Sequence, residues 1–265
     1  MGRYFDGKSF TADAPEGQWV DSGADFYAAV VWTDPAAADP LASAYAIAWM
    51  SNWDYVKKIP IAHDYRGQLS LVRQLRLQRV DDVPRLISTP LPEQNTVFAE
   101  AIAGQDQTIA ERSEYVWPTG AQTAACRIDL TITRVGQIWP AKVVLSVRAD
   151  GRFATRFIFR AHDNIVCLER ADSGPNQPDV DVWRQPRSIV CDFTKGAVHI
   201  SLFIDSGSVE LFLADGTATM SALITAPLDA TGLHLKSTGG SVTVSDVAIR
   251  PVDNSSRSKP VLAAP

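Results

Sequence analysis

Long apolar runs are missing from this 265-residue chain. A membrane-crossing helix needs about 18 consecutive apolar residues. The stretch Phe26-Tyr27-Ala28-Ala29-Val30-Val31-Trp32 is far shorter, so no membrane partner is expected. An excess of positive charge is also missing: 25 Lys and Arg against 30 Asp and Glu leave a net charge of −5. That balance lacks the basic footprint a polyanion needs, and no nucleic-acid partner is expected. Cysteine is scarce. Cys126, Cys167 and Cys191 are odd in number and widely spaced, fitting neither a disulfide framework nor a zinc template, and are expected to be small buried hydrophobes. The four histidines, His63, His162, His199 and His234, lack the paired spacing of metal ligands, so no metal is expected. Glycine-rich phosphate loops and nucleophile elbows are absent, and no cofactor is expected. The start, Met1-Gly2-Arg3-Tyr4-Phe5-Asp6, has neither the apolar stretch of a secretory signal nor the Ser or Thr of a myristoylation signal at Asp6. The compartment is not legible.

What is present is an ordinary globular composition, 46% hydrophobic and 21% charged, long enough for roughly two domains. Strand patterns dominate. Ile128, Leu130 and Ile132 alternate with polar residues; 142–147 and 152–159 flank Asp150-Gly151, a tight hairpin signal. The same grammar recurs at 198–204, at 209–213 and 217–224 around Asp215-Gly216, and at 242–249. Short strands with regular turn signals predict an antiparallel sandwich over about 110–252. Further strands are expected at 19–22, 26–32, 44–49 and 69–77, with an exposed loop at Asp34-Pro35-Ala36-Ala37-Ala38-Asp39-Pro40, where the prolines lack the ladder donor. The pattern breaks at Pro90-Leu91-Pro92. The reading is therefore a strand-rich segment over 1–92, a linker over 93–109 with one short helix from Glu93 to Ala103, the sandwich over 110–252, and a frayed tail over 253–265. The fold class is all-β.

The most unusual local text lies in three blocks. They are Asp21-Ser22-Gly23-Ala24-Asp25-Phe26-Tyr27-Ala28, then Ile47-Ala48-Trp49-Met50-Ser51-Asn52-Trp53-Asp54-Tyr55, then Tyr65-Arg66-Gly67-Gln68-Leu69-Ser70-Leu71-Val72-Arg73. In this order they resemble the last blade of the five-bladed propeller of glycoside hydrolase family 32, the invertases, inulinases and levanases that cleave β-fructosides. Phe5-Asp6-Gly7-Lys8-Ser9-Phe10 is similar to the strand turn preceding them. The block from Leu202 to Phe212 resembles the signature strand pair of the same family's C-terminal sandwich.

The resemblance implies a partial β-propeller of about one to one and a half blades followed by an antiparallel β-sandwich. It also implies that Asp25 and Trp49 hydrogen-bond and stack on a terminal fructosyl unit, with Asn52, Trp53 and Arg66 lining the neighbouring rim. A carboxylate accepts from sugar hydroxyls, and an indole covers a C–H face. Hydrolysis with retention needs two carboxyl groups about 5–5.5 Å apart, one to attack and one to protonate the leaving oxygen. The family carries them in Trp-Met-Asn-Asp-Pro-Asn-Gly, Arg-Asp-Pro and Glu-Cys tracts, none of which occurs here. Asp205 and Glu210 flank a tight connection and are read as turn and strand-edge residues. No catalytic residue is therefore assigned. The expectation is a β-fructosidase-like C-terminal portion, inactive alone and completed by an N-terminal chain. The alternatives are a non-catalytic fructan-binding module and a remnant repaired by homo-oligomerisation. The expected ligand is a fructose-containing saccharide.

Overall fold

Asp6 and Gly7 turn the first strand, β1 (Gly2–Phe5), back on β2 (Phe10–Ala12). The Asp6 carboxylate accepts the Lys8 and Ser9 N–H groups at 2.8 and 2.6 Å, and Gly7 takes the left-handed φ of 90° that the turn requires. The structure, a computed structural model, describes residues 2–12, 17–34, 38–39, 42–59 and 67–253. The expected tail from residue 254 onward, Arg66 and His63 lie outside the described residues.

A second sheet comprises β3 (Tyr27–Trp32), β4 (Ala44–Met50), β5 (Gln68–Leu69), β6 (Arg73–Val80) and β7 (Val83–Pro90), in the antiparallel order β3-β4-β6-β7 with β5 also on β4. Alternation in β4 buries Ala46, Ala48 and Met50. Every residue of β3, an edge strand among the described residues, is exposed. Trp19 to Ser22 forms no strand of its own. β7 carries no signal that the sequence reading used. Its two-residue turn is Asp81-Asp82, with φ of 48° and 62° where Asn-Gly is the usual pair, and it contains Pro84, tolerated because β7 is an edge.

The rest of the chain forms two antiparallel sheets around one core. In order come β8 (Ile102–Ala103), β9 (Gln107–Ile109), β10 (Cys126–Arg134), β11 (Lys142–Ala149), β12 (Thr155–Arg160) and β13 (Ile165–Glu169). After the single helical turn α1 (Asp181–Arg184) follow β14 (Arg187–Val190), β15 (Ala197–Ile204), β16 (Ser208–Leu213), β17 (Ala218–Leu223), β18 (Gly232–Thr238) and β19 (Val242–Pro251). One sheet has the order β17-β16-β15-β10-β19-β8 with β9 also on β19; the other is β14-β13-β12-β11-β18. Ile128, Leu130, Ile200, Leu211 and Val244 of the first meet Leu145, Phe157, Leu168 and Leu235 of the second. Both expected hairpin turns are present, Asp150 accepting from the Arg152 and Phe153 N–H groups at 2.9 and 2.8 Å. The expected linker is different. A 3₁₀ turn spans only Pro92–Val97, and β8 and β9 then join the sheet on β19, pairing Ile102 with Ile249 and Thr108 with Thr243. Strands of two and three residues are too short for alternation to announce them. Cys126 and Cys191 are buried, Cys167 is half-buried, and all three are free thiols.

Residues 20–25 fasten the five-stranded sheet of β3–β7 to the edge strand β17. Ser22 and Asp25 donate their N–H groups to the Thr219 and Ser221 carbonyls at 2.9 and 3.1 Å. In return the Ser221 and Leu223 N–H groups each donate to a carboxylate, Asp21 and Asp25, at 2.9 Å. Two side chains thus take the place of backbone carbonyls on an edge that no strand pairs among the described residues. Gly23 allows the approach: a Cβ there would lie 2.0 Å from the Ser221 carbonyl oxygen. Arg73 of β6 is fully buried between Asp21 and Glu210, each 2.9 Å away, with its guanidinium 4.2 Å from the Phe26 ring centroid. A small second core of Met50, Tyr55, Trp183 and Leu223 lies beside this junction.

Candidate substrate-binding site

Antiparallel pairing of β3 with β4 sets Tyr27 opposite Trp49, and the positive φ of 51° at Ala28 accompanies a bulge just after that pair. The Trp49 ring stands edge-on to Tyr27 at 6.3 Å and 5.2 Å from the Trp53 ring. Between them the chain turns at Asn52, whose side-chain oxygen accepts the Asp54 N–H at 2.9 Å and whose carbonyl accepts from Tyr55 and Val56. Tyr55 is anchored inward, so Trp53, two residues earlier, is left 67% exposed. Gly67 passes the Trp49 indole nitrogen, with a φ of 79° that side-chain-bearing residues rarely adopt.

A cavity of about 550 Å³ opens beside this aromatic row. One wall comes from Trp19, Phe26, Tyr27, Ser51, Asn52 and Trp53; Arg187 and Ser188 of β14 form the other, so the cavity lies between the two halves of the molecule.

Of the five residues expected to meet a sugar, the structure brings together Trp49, Asn52 and Trp53. Arg66 is outside the described residues. Asp25 is a correction. It is fully buried, its carboxylate accepting from Tyr55 Oη at 2.5 Å, Arg170 at 2.6 Å and the Leu223 N–H at 2.9 Å, so no face is left for a ligand hydroxyl. Burial, and then the neighbouring Asp25 charge, push the Tyr55 phenol up, which keeps it protonated as the donor in this bond. Burial alone would lower the Arg73 guanidinium, but Asp21 and Glu210 hold it above its ordinary value. Glu210, read from sequence as a strand-edge residue, is a buried counter-charge for Arg73, and its second oxygen accepts the Leu71 N–H at 2.7 Å. Sequence reasoning missed Ser51 and Arg187. Arg187 lies more than 130 positions from Trp53 and belongs to no motif; only Ser51, inside a quoted block, carried a local signal. The described histidines serve separate partners: His162 the Trp139 carbonyl, His199 Asp215 and His234 Glu114.

Comparison with known proteins decides the lineage. The signature of the glycosyl hydrolases family 32 N-terminal domain matches residues 1–90, and that of the glycosyl hydrolases family 32 C-terminal domain matches residues 93–251. The chain belongs to glycosyl hydrolase family 32. The levanbiose-producing levanase of Bacillus subtilis is 31% identical over 253 residues, which is 94% of this chain and 47% of the levanase. The extracellular exo-inulinase of Aspergillus niger is 28% identical over 250 residues, 89% of this chain and 44% of the inulinase. The family 32 chain thus spans less than half the length of these curated relatives. Among solved structures, exo-inulinase from Aspergillus awamori superposes with a TM-score of 0.78 at 24% identity, covering 94% of this chain and 48% of its own. Fructan 1-exohydrolase IIa from Cichorium intybus gives 0.71 at 14% identity, covering 92% and 51%. These likenesses are to the all-β fold.

Proposed function

We propose that this chain is the C-terminal half of a β-fructoside-cleaving glycosidase acting on saccharides of the levan, inulin and sucrose class. In this reading the β3–β7 sheet is one blade of a five-bladed propeller, the β1–β2 hairpin belongs to the blade before it, and the two packed sheets are the β-sandwich. The carboxyl groups that attack and protonate the glycosidic bond reside in an N-terminal half, in the same polypeptide or in a separate one. This half contributes one wall of the sugar pocket, with Trp49 stacking on the fructosyl unit.

The observation that carries the reading is the state of the buried acids. Four carboxylates are buried among the described residues, and each is committed to arginine: Asp21 and Glu210 to Arg73, Asp25 to Arg170, and Asp129 to Arg127 and Arg250. Groups so held serve the fold, whereas a retaining pair must leave one carboxylate free to attack and its partner protonated. The exposed edge of β3 supports the same reading, as an apolar strand edge of this kind is a docking line for further strands. The experiment is complementation. The N-terminal half of a family 32 levanase, expressed separately, is mixed with this chain, and fructose release from levan, inulin and sucrose is followed. The expected result is a one-to-one complex with hydrolysis that neither piece gives alone, and a raised KM in Trp49→Ala. A complex that forms and hydrolyses nothing refutes the proposal.

A further inference from the structure

We infer that Arg170 is a positioning residue for the aromatic row: from the two packed sheets, its guanidinium holds the segments on both sides of Trp49 and so sets the spacing of Tyr27, Trp49 and Trp53. The inference rests on the reading above that Trp49 meets a fructosyl unit, and it names what holds that ring's neighbours in place. Arg170 directly follows β13, is buried, and does not itself line the cavity. Its Nη1 donates to the Asp25 carboxylate at 2.6 Å and to the Leu223 carbonyl at 2.9 Å. Its Nη2 donates to Tyr55 Oη at 2.9 Å, and its Nε to the Trp183 carbonyl at 3.2 Å. Tyr55 closes the triangle by donating to the other Asp25 oxygen at 2.5 Å. Asp25 lies two residues before Tyr27, and Tyr55 two residues after Trp53. One cation therefore pins both flanks of the row.

Exposure shows why this matters. Tyr27 and Trp53 are 50% and 67% exposed, so packing does little to fix either ring, and each goes where its backbone goes. The Tyr27 flank has a second tie, the Asp25 N–H donating to the Ser221 carbonyl at 3.1 Å. The turn that carries Trp53 is tied through the Tyr55 side chain, which meets Arg170 and stands edge-on to Trp183 at 5.1 Å. Loss of the Arg170 link should therefore show first at Trp53. A purely stabilising role accounts poorly for this arrangement, since apolar residues of similar volume often replace a buried ion pair without loss of stability. They would fill the space without fixing a distance. The planar fork of Arg170 does both: its donors point in set directions to four acceptors, which the compact ammonium of a lysine does not reproduce.

The test reads the row directly. Two indoles 5.2 Å apart couple, and the Trp49–Trp53 contribution to the circular dichroism of the chain is the exciton couplet lost in Trp53→Phe. Arg170→Lys and Tyr55→Phe should each remove most of that couplet while urea unfolding stays cooperative. The double variant should remove no more than either single one, because both act through one link. Ser201→Ala, which deletes a buried hydrogen bond to Asp129 in a separate network, is the control and should keep the couplet. If Arg170→Lys does not fold, Tyr55→Phe, which leaves the Arg170–Asp25 pair in place, decides alone. A couplet retained in the folded variants, or lost equally in Ser201→Ala, overturns the inference. With the N-terminal half supplied, Arg170→Lys should also raise KM for sucrose about tenfold while kcat stays within about twofold, the pattern of a lost binding contact. A fall in kcat at unchanged KM overturns the positioning role. A wild-type mixture that hydrolyses nothing removes the reading of Trp49 as a sugar contact, and the couplet still decides what Arg170 holds.

Discussion

At Asp25 a carboxylate lies beneath Arg170 and Tyr55 with no exposed surface, and its replacement strands a buried arginine whose guanidinium also rests 3.8 Å from the Trp183 ring centroid. Breaking one side of a buried ion pair costs about 3–5 kcal/mol, so Asp25→Ala should lower unfolding stability by that order in urea titrations. Tyr55→Phe removes a hydroxyl that donates to Asp25 and accepts from Arg170, two hydrogen bonds to charged groups, and should cost at least about 1.5–3 kcal/mol. An Asp25→Ala protein of unchanged stability that no longer binds fructans would return this residue to the sugar site. The cysteines give a second residue-scale expectation. Burial pushes the Cys126 and Cys191 thiols up to about 12 from an ordinary 9.0. A group whose folded value is raised contributes stability that is fully present below the unfolded value and fades as pH climbs through the folded one. The urea midpoint should therefore hold up to about pH 9 and fall between there and about pH 12, less steeply in Cys126→Ala/Cys191→Ala. Native thiol labelling at pH 8 should spare both residues. Rapid labelling of either would contradict their burial.

Among the elements, the β6–β7 hairpin shows where local text was silent. Asp81 and Asp82 hold positive φ without glycine, and the Arg79 guanidinium closes the turn by donating to the Asp82 carbonyl at 2.7 Å. Asp81→Asn with Asp82→Gly installs the pair that such a turn favours and should raise stability by about 0.5–1 kcal/mol in thermal melts. A lowered melting temperature would show that the aspartates do more than turn the chain. Strands of six to ten residues with one buried face, such as β10, β15 and β19, were legible because alternation is written directly in residue type. β8 and β9 were not, since two or three residues carry no period. The stretch from Trp19 to Ser22 was misread as a strand. Asp21 and Asp25, with two N–H groups, complete the β17 edge, and no periodicity encodes a side chain serving as a carbonyl.

Across the whole molecule, the aromatic half of the site was legible as local text: Trp49, Asn52 and Trp53 lie within five positions and stay together in space. Asp25 shared that text, but its role depends on Arg170 and Leu223, nearly 150 and 200 positions away, which local reading does not reach. The opposite wall, Arg187, depends in the same way on how the halves dock. The docked halves still leave Val30, Val31 and Trp32 of β3 exposed at an edge unpaired among the described residues. Sedimentation velocity on the isolated chain should therefore show self-association at concentrations on the order of tens of micromolar, suppressed in Val31→Lys because an edge lysine discourages strand pairing. A strictly monomeric chain would mean that this edge is covered. The most direct test of the account is sugar release by the purified chain acting alone on levan, inulin and sucrose. The account predicts none above the buffer control, with release appearing only when an N-terminal half is added. Fructose liberated by the chain alone, and abolished by replacing one of its own acidic residues, would contradict it.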